Sequence, residues 1–115
     1  MALPKIQSAI PKRRYQYGEF IVTVLSDITS PDPFDYLYIA AVLRDGGTQP
    51  EVYITCESIQ KTGQQSYSIK VLSQDSEHTI SQDSQWKNEQ RFCDYVLEGV
   101  GKMFHLTDET PVLLA

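Results

Sequence analysis

Near the start of the sequence, Lys12-Arg13-Arg14-Tyr15-Gln16-Tyr17 interleaves cations with aromatic rings. Ammonium and guanidinium groups hold phosphates, and tyrosine rings stack on exposed bases. These residue types in this order are therefore what a single-stranded nucleic acid needs. Lys12, Arg13 and Arg14 are the candidate phosphate contacts, and Tyr15 and Tyr17 the candidate stacking platforms. The competing structural reading makes the tyrosines core or interface residues with wet hydroxyls.

Other chemistry is harder to find. There is no Gly-x-Ser-x-Gly elbow, no phosphate-binding glycine loop and no His-Glu-x-x-His. Cys56, Cys93, His78 and His105 lack the short spacings of a structural zinc site, so no metal is expected. Cys93 and His105 lie twelve residues apart along one helical line, beyond the reach of a catalytic dyad. Asp27, Asp32 and Asp35 gather around Ser30-Pro31-Asp32-Pro33 and read as loop formers rather than an acid–base pair. The expectation is a protein with no catalytic residues and no cofactor.

The elements that must position these residues follow from periodicity. Residues 1–14, interrupted by Pro4 and Pro11, read as an irregular basic arm. Alternating apolar residues predict strands over residues 15–27, 34–43, 51–59 and 65–72, joined by the Pro31/Pro33 loop, by Asp45-Gly46-Gly47-Thr48 and by Lys61-Thr62-Gly63-Gln64. The polar run over residues 73–84 reads as a loop. Ser81 or Ser84 is a candidate N-cap for a helix running to about Phe104. Trp86, Cys93, Val96, Leu97, Val100, Met103 and Phe104 recur at helical spacing and mark its buried or dimer-forming face, with Phe92 beside the seam. At about twenty residues this helix would be ~30 Å long. Thr107-Asp108-Glu109-Thr110-Pro111 ends it, and residues 107–115 form a tail.

The predicted fold class is therefore α+β: a four-stranded antiparallel sheet followed by one long C-terminal amphipathic helix, in a single domain over residues 15–106. The first two predicted strands are apolar on both faces, whereas one helix covers only one face of a sheet. A second copy of the chain is the expected cover for the rest, which makes the protein a homodimer.

Composition limits the partners. The chain has 115 residues, 41% hydrophobic and 22% charged, which is an ordinary globular balance. Its net charge is −5, but residues 1–14 carry +4, leaving −9 on the rest. An acidic body opposes general nucleic-acid binding, which depends on neutralising phosphates. The leading expectation is still a non-enzymatic, transcription-related protein that contacts single-stranded nucleic acid through residues 12–17; the alternative is a protein-interaction module, such as an adaptor, chaperone or immunity-type protein, whose acidic body receives a basic partner. No apolar run suits a signal peptide or a bilayer span, and the two cysteines read as buried free thiols, so a cytoplasmic protein without membrane contact is expected.

Two stretches carry a resemblance. Ile80-Ser81-Gln82-Asp83-Ser84-Gln85-Trp86 is similar to the Ile-Ser-x-x-x-x-Trp lead-in to the helix of the eukaryotic transcriptional positive cofactor four, and Lys12-Arg13-Arg14 to the basic residues before its first strand. Over residues 12–106 the order of elements resembles the fold that this cofactor shares with the plant Whirly proteins and with small cyanobacterial and other bacterial proteins. The resemblance implies β4-α units that dimerise through their helices and bind single-stranded DNA on their sheets.

Overall fold

The computed structural model describes residues 3–61, 64–106 and 108–114. Its strands are β1 (Ser8–Tyr17), β2 (Phe20–Thr29), β3 (Tyr36–Arg44), β4 (Val52–Lys61), β5 (Gln64–Leu72), β6 (Glu77–Asp83) and β7 (Val112–Leu113). A 3-10 turn (Ser84–Lys87) and the helix α1 (Glu89–Met103) lie between β6 and β7. The strands form one antiparallel sheet in the order β6-β5-β4-β3-β2-β1-β7. The molecule is thus α+β, but the expected four-stranded β4-α unit is overturned by a sheet of seven strands.

Each added strand has a physical cause. The predicted strand over residues 15–27 is two strands, because Gly18 takes φ +58° and reverses the chain. Tyr17 then pairs with Phe20, Tyr15 with Val22 and Arg13 with Val24. The supposed arm is therefore strand from Ser8 onward, with Pro11 tolerated because β1 is bordered along only part of its outer side. The polar run after residue 73 contains β6, an edge strand so exposed that it needs no apolar face. The tail returns as β7, pairing Leu113 with Tyr15 and Val112 with Gln16. In the expected turn after β4, Thr62 and Gly63 lie outside the described residues, as does Thr107 in the segment that follows α1.

The helix is shorter than its pattern suggests. Asn88, at φ −75° and ψ 121°, interrupts it and caps α1, its side chain accepting from Arg91 N–H. Asp83 caps the preceding 3-10 turn by accepting from Gln85 N–H at 2.9 Å. Neither Ser81 nor Ser84 fills the capping role expected of it.

One face of α1 packs on one face of the sheet. Phe92, Cys93, Val96 and Val100 meet Val22, Val24, Ala40, Ile54, Cys56 and Ile69 in the core. Trp86 is buried from the 3-10 turn, while Leu97 and Phe104 are half-buried against the same cluster. Met103 is exposed. Phe92 sits at the centre of the helix face rather than beside it, stacked on Tyr38 at 5.2 Å. The opposite side of α1 carries Gln90, Arg91, Asp94, Glu98 and Lys102, all exposed. The apolar helix face expected to form a dimer is thus occupied by the chain's own sheet.

The other face of the sheet is partly closed within the chain. Register places Ile39, Thr55, Glu57, Ser68 and Leu72 there, and all are buried. Phe34 reaches over them from the loop before β3, its ring 4.7 Å from Lys70 Nζ and 6.0 Å from the Tyr36 ring. Beneath it, Lys70 Nζ pairs with Glu57 Oε2 at 3.0 Å. Among the described residues, no helix is long and apolar enough to cross a membrane.

Candidate functional site

The basic–aromatic stretch lies on β1, whose alternation sends its side chains to opposite faces. Arg13, Tyr15 and Tyr17 take the helix side. Tyr15 and Tyr17 are each 7% exposed, inside the core cluster. Arg13 bridges β1 to the start of α1: its Nε donates to Glu89 Oε1 at 3.2 Å, and its Nη1 to Gln90 Oε1 at 2.6 Å and to Tyr15 Oη at 3.3 Å. The Tyr15 hydroxyl, aided by the Glu89 charge, raises the Arg13 pKa further and keeps the guanidinium charged. Lys12 Nζ lies 3.8 Å from Asp27 Oδ2. Arg14 points to the other face and is exposed, and its carbonyl accepts from Leu114 N–H at 2.7 Å. The structure therefore brings Lys12 and Arg13 to the helix N-terminus, puts Arg14 on the opposite side and buries both rings.

A cleft of about 500 Å³ opens beside this stretch, lined by residues that include Lys12, Ser26, Asp27, Tyr38 and Glu89. It exists because the strands part at a bulge: Ile10 pairs with Ser26 and Ser8 with Thr29, leaving Asp27 extra, at φ +50°. Tyr38 Oη donates to Lys87 O at 2.8 Å, and burial raises the pKa of this phenol. The two carboxylates of the cleft each face a cation, Asp27 facing Lys12 and Glu89 facing Arg13, so its charges balance.

The aspartates flagged around the proline loop do not converge. Asp27 occupies the bulge. Asp32 Oδ2 accepts from Tyr36 Oη at 2.9 Å and from Lys5 N–H at 3.0 Å, and the Lys5 bond holds its carboxyl below the usual carboxylate range. Asp35 engages through its carbonyl, which accepts from Ser58 N–H at 2.9 Å. These contacts tie the loop and the chain before β1 to the sheet.

Both cysteines are free and fully buried. Burial pushes the Cys56 thiol up to about 12. Burial also raises Cys93, against the opposing pull of the nearby Arg13 charge. Among the described residues no three His, Cys, Asp or Glu side chains gather as metal ligands would.

The sheet ends in two unlike edges. On β1, β7 covers Tyr15 and Gln16, while Pro11 and a bulge between Pro11 and Arg13 interrupt the open stretch. On β6, among the described residues, no strand lies outside Glu77–Asp83, and every residue of it except Ser81 is exposed, Ile80 by 44%. Sequence reasoning missed this edge because a strand exposed on both faces lacks the apolar alternation that marks a half-buried one.

Compared with protein families, curated proteins and solved structures, the chain matches none.

Proposed function

We propose that the chain is a non-enzymatic protein-interaction module whose acidic body receives a basic segment of a partner. The carrying observation is the fate of the basic–aromatic stretch. Its rings lie under α1, Arg13 is held by Glu89 and Gln90, and Lys12 faces Asp27. A single-stranded nucleic acid would find neither a stacking platform nor a row of available cations there. Exposed acids lie elsewhere, with Asp75, Glu77 and Asp83 around β6, whereas on the outer side of α1 Asp94 and Glu98 are balanced by Arg91 and Lys102. Such a surface repels a polyanion and steers a basic partner toward it.

Fluorescence anisotropy tests this with two labelled probes, a lysine-rich peptide and a single-stranded DNA of about 30 nucleotides, at low and physiological salt. The expected result is saturable peptide binding that weakens with salt, and no DNA binding. Salt-sensitive DNA binding that is lost in the Arg13→Ala/Arg14→Ala double variant, with no peptide binding, would return the function to nucleic acid.

A further inference from the structure

We propose that the open edge of β6 is the docking line, and that its occupant is an extended basic segment of a partner protein, added as an antiparallel eighth strand. This rests on the protein-interaction reading above and names the place and chemistry of the contact.

The first ground is backbone. An edge strand presents a row of unpaired N–H and C=O groups that another strand can complete. The opposite edge of this sheet shows an added strand already in place, where Leu114 N–H donates to Arg14 O beside the Tyr15–Leu113 pair. β1 is otherwise protected by Pro11, whereas β6 contains no proline and, among the described residues, has no strand outside it from Glu77 to Asp83.

The second ground is side-chain chemistry. Ile69 pairs with Ser81 and Lys70 with Thr79, so Ile80 is the extra residue of a bulge, an apolar side chain 44% exposed at the middle of the edge. Acids stand at both ends, with Asp75 and Glu77 before it and Asp83 after. Lys70 offsets Glu77 only partly, at 3.7 Å.

Charge then selects the occupant. Glu77 pairs with Leu72 and Asp83 with Tyr67, so the bulge at Ile80 leaves the two acids on opposite faces, and a second β6 paired about Ile80 would bring four acids to one seam, where like charges repel. A strand with long lysine or arginine side chains toward its ends is attracted to the acids on both faces, and an apolar residue near its middle covers Ile80. The edge therefore disfavours self-pairing in that register and favours a basic partner.

The probe is a labelled heptapeptide with lysine at each end, valine at the centre and threonine between, titrated by anisotropy into wild type, Glu77→Lys and Ile80→Lys. Both positions are exposed, so an unchanged unfolding midpoint confirms that each variant folds. Each variant is expected to weaken binding roughly ten-fold, and a peptide with proline at its centre to bind wild type roughly ten-fold more weakly. Equal affinity for wild type and both variants would place the peptide elsewhere on the acidic body. That outcome rejects the β6 edge and leaves the interaction reading standing. If neither this peptide nor the lysine-rich peptide binds at low salt, both readings fall.

Discussion

Replacing Gly101 by alanine sets two effects against each other, and Gly99 supplies the control. Both glycines lie in the last turns of α1, where alanine is favoured over glycine by about 1 kcal/mol in a helix interior. A Cβ at Gly99 meets nothing within 4 Å. A Cβ at Gly101 would stand 2.5 Å from Tyr17 Oη and 3.3 Å from Tyr17 Cζ. Tyr17 is 7% exposed within the core, so its ring has little room to retreat. Overpacking of this kind costs about 1–3 kcal/mol. Gly99→Ala should then stabilise by about 0.5–1 kcal/mol, and Gly101→Ala should range from neutral to a loss of about 2 kcal/mol. Urea unfolding followed by circular dichroism measures the difference, provided the denaturant slopes agree. Adding Tyr17→Phe to Gly101→Ala removes the hydroxyl and should recover much of the gap. Equal stabilisation by the two alanines would show that α1 does not rest on Tyr17, and with it the burial of the basic–aromatic stretch would fail.

Other expectations follow from the same contacts. Trp86 is 7% exposed and its Nε1 donates to Ser81 Oγ at 3.0 Å, so Trp86→Ala should cost about 3–5 kcal/mol in urea unfolding; a loss below about 1 kcal/mol would contradict its burial. Lys70→Met strands the buried Glu57 carboxylate and should cost about 3–5 kcal/mol at neutral pH, with Glu57→Leu/Lys70→Leu recovering much of it; no recovery would show that the site needs the pair itself. The Cys56 thiol is raised by burial to about 12, so the unfolded thiol ionises first. Its contribution to stability is complete below the ordinary thiol value of about 8.5 and is lost as pH rises from there toward about 12. Wild type should therefore lose more stability between pH 8 and 10 than Cys56→Ala, and parallel losses would contradict this.

What the sequence made legible was the central meander and the helix face. Three of the four predicted strands correspond to β3, β4 and β5, and Gly46 takes the positive φ, +83°, that a tight turn needs. Cys93, Val96 and Val100 are buried as their spacing requires. The β1–β2 hairpin was hidden by a change of parity. The helix-facing residues are odd-numbered on β1, at Arg13, Tyr15 and Tyr17, and even-numbered on β2, at Phe20, Val22 and Val24. Read as one strand, they fall on two faces, apart from the Ile21, Thr23 and Leu25 face that led to the expected second copy and that remains on the other side of the sheet. Read as a hairpin about Gly18-Glu19, they are one face, already under α1. The same change turns Tyr15 and Tyr17 from candidate platforms into core. β6 was illegible for the opposite reason: Glu77-His78-Thr79-Ile80-Ser81-Gln82-Asp83 is held by strand pairing to β5, with Ile69–Ser81 and Val71–His78 among its pairs, rather than by burial of its own side chains. The break at Asn88 was obscured by the serines upstream, which offered earlier capping positions.

The most direct test of the proposed partner is amide hydrogen exchange with and without the lysine-flanked heptapeptide at low salt. Peptide is expected to slow exchange at amides within Glu77–Asp83 that β5 does not already protect, and to leave β1 unchanged. Protection confined to β1, or no change in β6 at saturating peptide, would contradict it.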